Sequence, residues 1–390
     1  MKKPDTNNND QSKGDYFEKY KSSDYDYTLP EELIAQRPLE RRDQSRMMVI
    51  DRKKGTREHA IFNKLPLYLE EGDLLILNNT KVIPARLKGR IVGKTTEAEL
   101  LLLHKLPSGN WMAMVKPGKK LQPGTRIEIR KDIEAVIQYS GREGLRAVSF
   151  SAPAPIESML HYLGEVPLPP YIKSELDDPG KYQTIYAKKK GSAAAPTAGF
   201  HFTSDVFAAL DYKGIKYSFI TLHIGPGTFQ PVKTEDIRDH VMHREYYRLD
   251  KKIARQIYMA KQENKRVIAV GTSVCRVLES VADSKGFIKG QEMGWTDLFI
   301  YPGFKFRVID GLITNFHLPR STLLMLVSAF AGYEETVAAY REAVEQNYRF
   351  YSFGDCMLIY NKEVKRPRRR PVSIPVSMTA GSIDSPVRLI

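Results

Sequence analysis

Five of the eight histidines, His201, His223, His240, His243 and His317, fall in short stretches rich in Gly, Pro, Thr and Ser. Imidazole titrates near neutral pH, so histidines gathered at one place suit proton transfer. The densest stretch is Gly191-Ser-Ala-Ala-Ala-Pro-Thr-Ala-Gly-Phe-His-Phe-Thr203. Its small residues let the backbone approach a ligand, and Gly199 can take torsions closed to other residues. His201 sits there between two aromatics, and standing alone it would read as a core histidine with a satisfied ring. Thr221-Leu-His-Ile-Gly-Pro-Gly-Thr-Phe229 is a strand running into a Gly-Pro-Gly loop. Such a loop presents backbone N–H groups to anions, and it reads equally as a tight turn. Val270-Gly-Thr-Ser-Val-Cys-Arg276 places a glycine turn between strand and helix, and a helix start attracts carboxylate or phosphate. It matches neither the dinucleotide fingerprint nor the phosphate-binding loop. The sequence therefore gives no support for a nucleoside triphosphatase or a Rossmann methyltransferase. Asn315-Phe-His317-Leu-Pro-Arg-Ser321 is a further polar cluster at a helix entrance. His240-x-x-His243-x-Glu245 would set two imidazoles on one helical face with a carboxylate near. It lacks the His-Glu-x-x-His order and the distant cysteines of zinc motifs. Acid–base use or an RNA contact is the expectation there, and no metal is expected.

The elements that must position these residues can be read from caps and periodicity. Thr203 is placed to cap a helix through Val206, Phe207 and Leu210. Asp250 is read as the cap of a helix whose Ile253 and Ile257 share a face, followed by a buried strand, Arg266 to Val270. After Gly271, the residues Val274, Leu278 and Val281 form one helical stripe. Ser321 caps another apolar helix, Gly332 interrupts it, and Val337, Tyr340 and Val344 restart the period. From Gly72 to Ser151 the texture differs. Short apolar runs at Leu74–Leu77, Glu99–Leu103, Trp111–Val115, Arg126–Ile129 and Ala135–Ile137 alternate with turns such as Pro117-Gly118 and Pro123-Gly124. That spacing suggests a small antiparallel barrel or sandwich.

The expected fold class is α/β: a larger mixed α/β, barrel-like domain with an inserted small antiparallel β-barrel domain, and disordered N- and C-terminal tails. The expected boundaries are a flexible leader at 1–23, the α/β domain at 24–71 and 152–360, the insert at 72–151, and a basic flexible tail at 361–390. A chain of 390 residues is long enough for two cores. The net charge of +14, from 60 basic and 46 acidic residues, favours a polyanionic partner. The longest apolar run, Leu323 to Ala331, falls short of the ~20 residues a membrane span needs. The N-terminus has no apolar stretch of the kind a signal peptide carries. Cys275 and Cys356 are the only cysteines, which excludes a disulfide framework. A cytoplasmic location follows as the expectation.

Taken together, these stretches resemble the S-adenosylmethionine:tRNA ribosyltransferase-isomerase family of queuosine biosynthesis. The likeness begins at Asp26-Tyr-Thr-Leu-Pro-Glu-Glu-Leu-Ile-Ala-Gln36 and Pro38-Leu-Glu-Arg-Arg-Asp-Gln-Ser-Arg46. It continues through Asn78-Asn-Thr-Lys-Val-Ile-Pro-Ala-Arg86, Pro167-Leu-Pro-Pro-Tyr-Ile172 and Tyr182-Gln-Thr-Ile-Tyr-Ala187. After the loops above come Phe299-Ile-Tyr-Pro-Gly303, Ser321-Thr-Leu-Leu-Met-Leu-Val-Ser-Ala-Phe-Ala-Gly332 and Tyr348-Arg-Phe-Tyr-Ser-Phe-Gly-Asp355. It covers about residues 24 to 360, in order. Three stretches depart from the family pattern. Ala193 and Phe200 stand for Val and Leu, the Gly-Thr-Thr-Ser-Val-Arg form appears as Gly271-Thr-Ser-Val-Cys-Arg276, and Asn79 and Lys81 replace an Asp and an Arg.

The resemblance implies an active site near the interface of the two domains and S-adenosylmethionine as ribosyl donor, with no metal. The donor would give its ribosyl portion, not its methyl, to 7-aminomethyl-7-deazaguanine at the tRNA wobble position, forming epoxyqueuosine and releasing adenine and methionine. A sulfonium acidifies the hydrogens on the neighbouring 5′ carbon, adenine leaves more easily protonated, and the amine must lose protons to attack. The resemblance places the acid and base among His201, His223, Glu245 and His317. Donor contacts would come from Thr197, Gly199, Gly225, Gly227, Thr228, Gly271, Thr272, Ser273 and Asn315. Phosphate or base contacts would come from Arg42, Arg46, Lys81, Arg86, Lys188, Lys189, Lys190 and Arg276. The partner would be the anticodon arm, its wobble base splayed against tyrosines or phenylalanines, and the enzyme would act as a monomer. Two competing readings are a non-catalytic RNA-binding homologue and a transferase acting on a free deazapurine or another amine.

Overall fold

The computed structural model describes residues 19–141, 144–229 and 231–361. The leader up to residue 18 and the basic tail beyond 361 lie outside the described residues. In chain order, β1 to β4 are Arg46–Asp51, Thr56–Ile61, Leu74–Asn78 and Thr80–Val82. β5 to β10 are Arg86–Ile91, Glu97–Lys105, Trp111–Lys116, Arg126–Arg130, Ile133–Ser140 and Leu145–Ser151. The helices α1 and α2 are Ile156–Leu163 and Ser204–Tyr212, with β11 (Lys189–Ser192) between them. Then follow β12 (Lys216–Leu222), β13 (Glu245–Leu249), α3 (Lys251–Gln262), β14 (Val267–Val270) and α4 (Thr272–Val281). The chain closes with β15 (Glu292–Thr296), β16 (Gly311–Asn315), α5 (Thr322–Ala331), α6 (Tyr333–Glu345) and β17 (Cys356–Tyr360).

Nine strands form one mixed sheet in the order β15-β13-β12-β3-β14-β16-β17-β1-β2. Its interior strands β3, β14, β16 and β17 are buried at every residue, which is why they read as unbroken apolar runs. Period-two alternation divides their side chains between two cores. Leu74 and Ile76 join one core with α3, α4, α5 and α6, while Leu75 and Leu77 join the other with Phe62, Leu65 and α2. The run Leu74–Leu77, which its spacing groups with the barrel strands, lies instead in the middle of this sheet, paired in parallel with β12 and β14.

β5 to β10 close into a six-stranded antiparallel barrel in the order β10-β7-β6-β5-β8-β9, leaving no open edge. Leu87, Leu100, Ala113, Ile127 and Ile137 fill it, and α1 packs Ile156, Met159 and Leu160 into the same cluster. The chain enters and leaves this lobe at one place. Arg86 and Glu165 exchange both backbone hydrogen bonds, at 3.1 and 2.9 Å. A Cβ at Gly164 would stand 1.8 Å from the Pro84 carbonyl oxygen, so the closure requires glycine there.

Local signals met mixed outcomes. Thr203 caps α2 through the Val206 N–H at 3.3 Å, and Ser321 caps α5 through Leu324 at 3.2 Å. Gly332, with φ of 100°, separates α5 from α6. Asp250 stands at the start of α3, but its carboxylate accepts from Arg248 Nε at 2.9 Å and caps nothing. His240 to His243 is not helical; the segment runs without regular structure from a short turn at Ile237–Asp239 to β13. Residues at the end of the expected leader are ordered, with Ser22 N–H donating to Glu235 and Ile237 N–H to Tyr20, both at 2.8 Å.

Candidate active site

β3, β12, β14 and β16 run parallel, so their carboxyl ends share one edge of the sheet. Crevices at such edges are where open α/β sheets bind ligands. Five segments meet there: Ala195-Pro-Thr-Ala198, Ile224 to Thr228, Gly271-Thr-Ser273, Thr314 to Leu318, and Tyr351-Ser352 leading into β17. Gly271 makes the strand-to-helix turn at φ of 97° and donates its N–H to Ile313 at 2.7 Å. α4 therefore begins inside the cleft, with Thr272 and Ser273 on its wall. The positive end of its backbone dipole favours a negatively charged group there.

A buried ion pair forms the charged part of the wall. Arg276 Nη1 donates to Glu245 Oε2 at 2.6 Å, and each side chain is 5% exposed. Arg276 Nε donates to the Leu298 carbonyl at 3.0 Å, and Glu245 Oε1 accepts the Gly225 N–H at 2.9 Å. Arg276 Nη2 is buried and has no partner among the described residues. A buried unsatisfied donor is costly, more so on a charged group. The cleft wall thus holds a fixed, buried cation with one guanidinium nitrogen unpartnered among the described residues. Arg276, an expected RNA contact, lies in the cleft wall rather than on the exposed surface with the lysines.

The three histidines take different places around this edge. His317 lines the cleft. Its Nε2 meets Thr314 Oγ1 at 2.7 Å, its N–H donates to the Tyr340 hydroxyl at 2.9 Å, and its carbonyl accepts from Tyr27 at 2.5 Å. Burial pulls its pKa down to about 3, so the ring is neutral near pH 7. His201 lies behind the wall, beside Phe62 at 5.1 Å, and reaches the cleft only through Asn315. Burial, reinforced by the Arg42 charge, lowers it to about 3 as well. His223 stands aside from the cleft, with Nδ1 2.8 Å from Thr80 Oγ1 and its pKa lowered by burial. Of the four expected acid–base residues, the cleft wall takes Glu245 and His317.

Of the expected donor contacts, Thr197, Thr228, Gly271, Thr272, Ser273 and Asn315 line the cleft. Asn315 accepts from Thr197 Oγ1 at 3.2 Å. Three glycines serve otherwise. A Cβ at Gly199 would lie 2.0 Å from the Tyr186 hydroxyl, and one at Gly227 would lie 2.1 Å from the His243 ring. Gly225 gives its N–H to Glu245. Gly199 and Gly227 are therefore close-packing positions, while a Cβ at Gly225 would meet only Glu245 Oε1, at 3.9 Å.

The expected phosphate contacts also divide. Lys81, Lys188, Lys189 and Lys190 are exposed, and none forms an ion pair among the described residues. β11 pairs in parallel with β4, which sets Lys190 beside Lys81. Arg42 instead pins a loop, donating to the Gln183 and Lys181 carbonyls at 2.7 and 2.6 Å. Arg46 donates to the Gln346 carbonyl at 2.6 Å and covers the Tyr348 ring at 3.8 Å, while Arg86 pairs with Glu99 at 3.3 Å. Tyr171, Tyr351 and Ser352, which carry no reactive signature in the sequence, also line the cleft. Tyr171 and Ser352 share a hydrogen bond of 2.7 Å, and Tyr351 holds a φ of 69°, uncommon away from glycine. Their motifs, Pro167 to Ile172 and Tyr348 to Asp355, carried a signal in the sequence, but no residue type there announces reactivity.

Comparison with known proteins follows the same outline. A family model described as queuosine biosynthesis protein matches residues 22–359. The chain is similar to an S-adenosylmethionine:tRNA ribosyltransferase-isomerase of Carboxydothermus hydrogenoformans, 53% identical over 87% of this chain and 99% of that one. A protein of the same name from Halothermothrix orenii is 50% identical over 87% of this chain and 99% of its own length. Among solved structures, the S-adenosylmethionine tRNA ribosyltransferase of Thermotoga maritima is 39% identical, with a TM-score of 0.50 over 86% of this chain and all of that one.

Proposed function

The chain belongs to the queuosine biosynthesis protein family, and from that premise we propose that it moves and isomerises the ribosyl portion of S-adenosylmethionine onto 7-aminomethyl-7-deazaguanine at a tRNA wobble position. The product is epoxyqueuosine-tRNA, and adenine and methionine are released. This reading has the chain act in the cytoplasm as a monomer, with tRNA as its partner and no metal.

The observation that carries the reading is the unpartnered Nη2 of buried Arg276 beside the first turn of α4. The methionyl end of the donor brings a carboxylate, which supplies the missing acceptor. Thr272 and Ser273 add helix-start N–H groups for the same anion. With the methionyl end held there, the sulfonium and ribose extend along a wall that includes His317. His317, held at Nε2 by Thr314, offers its second ring nitrogen as the candidate to take a proton from the 5′ carbon. The same proton can then go to departing adenine, so one group serves both steps. Glu245 has an oxygen on Arg276 and an oxygen on Gly225, so its task is to hold the arginine. His201 is a positioning residue that acts through Asn315. The exposed lysines of β4 and β11 offer the phosphate contacts.

The test is purified protein with S-adenosylmethionine and tRNA carrying the precursor base, followed by adenine release and tRNA mass. Adenine release matched by a heavier tRNA is the expected result. Binding without turnover would leave the non-catalytic reading standing. Turnover of the free deazapurine in preference to tRNA would favour the other transferase.

A further inference from the structure

We infer that the edge of the large sheet facing the barrel carries a stacking platform for unpaired nucleobases of an RNA loop, centred on Trp295 and Tyr246 and continued by His104 on the barrel. The RNA in this inference rests on the proposed function. Tyr246 on β13 and Trp295 on β15 are direct cross-strand partners with ring centroids 5.7 Å apart. Trp295 meets His104 of β6 edge-on at 4.7 Å, linking the sheet to the barrel. The register of β6 shifts between Leu102 and His104, a device that re-aims a side chain at such a place. On its other side Tyr246 lies 6.0 Å from the His223 ring, at an interplanar angle of 20°.

Two further observations select the occupant. Trp295 is 40% exposed and its neighbour Met293 is 52% exposed, so the strand edge presents apolar surface to solvent. The file of rings also ends where the lysines begin. His223 hydrogen-bonds Thr80 and packs on Gly191, and these two residues flank Lys81 and Lys190 in the β4–β11 ribbon. Aromatic rings beside unpaired cations are the composition of a single-stranded nucleic acid site, where bases stack and phosphates meet lysine. Neighbouring residues on β13 then divide the work. Glu245 turns to Arg276 in the cleft, and Tyr246, next in the strand, turns to the platform. Bases flanking the modified position would be held here while the wobble base itself goes to the cleft.

The chain has two tryptophans, and the other, Trp111, is buried in the barrel. Indole emission therefore reports on Trp295 when tRNA is added. Quenching on binding is expected in the wild type. Trp295→Ala is expected to raise the Kd for tRNA about 5- to 100-fold, from the usual worth of one stacked base, without changing its salt slope. Trp295→Phe keeps a ring and is expected to retain most of the affinity while the quench disappears. The inference is overturned if wild-type protein turns over tRNA with no quench, or if Trp295→Ala and Tyr246→Ala bind tRNA as the wild type does. Failure of the wild type to bind or modify tRNA at all would overturn the functional reading, and this inference with it.

Discussion

Asn315 Nδ2 lies 3.3 Å from His201 Nε2, and the same amide reaches the carbonyls of Tyr351 and Asp355 at 3.2 and 3.4 Å. A donating amide requires Nε2 to be the bare nitrogen, so the His201 proton sits on Nδ1. A neutral ring outside the cleft therefore fixes a side chain that lines it. Protonating that ring would set two donors against each other and release Asn315.

That relationship makes stability depend on pH with a definite sign. Burial depresses His201 and His317 to about 3 in the folded chain, below the ~6.5 of an unfolded imidazole. The unfolded chain then takes up protons first as pH falls. The stabilisation is complete above about pH 6.5 and is lost progressively toward about pH 3. Urea unfolding should show a midpoint that drops from about pH 7 to about pH 5, and His201→Asn should flatten the slope. A wild-type midpoint constant over that range would contradict a neutral buried ring.

The Arg276–Glu245 pair predicts a split between stability and binding. Removing one partner of a buried pair costs about 3–5 kcal/mol because the other charge is left alone. Arg276→Met should therefore lower the unfolding midpoint sharply. Adding Glu245→Gln should restore much of it. The double variant should still bind S-adenosylmethionine about tenfold or more weakly by calorimetry, since a charge-assisted hydrogen bond is gone. Wild-type donor affinity in the double variant would rule out the assigned carboxylate contact.

His317→Ala should slow adenine release by ~10²–10⁴-fold at saturating tRNA, the usual worth of a positioned acid–base group. Thr314→Val, which removes the Nε2 partner, should give a smaller loss. An unchanged rate in His317→Ala would move the proton chemistry to another residue.

Lys81, Lys189 and Lys190 predict the response to salt. The logarithm of tRNA affinity should fall linearly with the logarithm of salt concentration, and each lysine replaced by Ala should reduce that slope by about 0.7–0.9. A flat response in the wild type would show that the ribbon does not meet phosphate.

What the sequence revealed followed the range of the forces involved. Thr203 and Ser321 were legible as caps because a hydroxyl and an N–H three residues on settle the matter between them. Asp250 misled because Arg248, two residues earlier, competes for the same carboxylate. Leu74 to Leu77 announced a buried strand, but an apolar run carries no mark of which strands it will join. By residue type Arg276 reads as a phosphate or base contact. Its burial and its bond to Glu245, 31 residues away, belong to tertiary structure. The platform was hidden for the same reason: Tyr246, Trp295 and His104 meet only once β13, β15 and the barrel are in place.

The double hydrogen bond between Arg86 and Glu165 means that the polypeptide steps out of the main body and back in through a single doorway. A short turn joining those two residues would leave every strand of the nine-stranded sheet in its original connection. The barrel and α1 could then be deleted as one piece without rethreading the remainder. Whatever such a trimmed protein could no longer do with tRNA would measure what the barrel brings to the encounter.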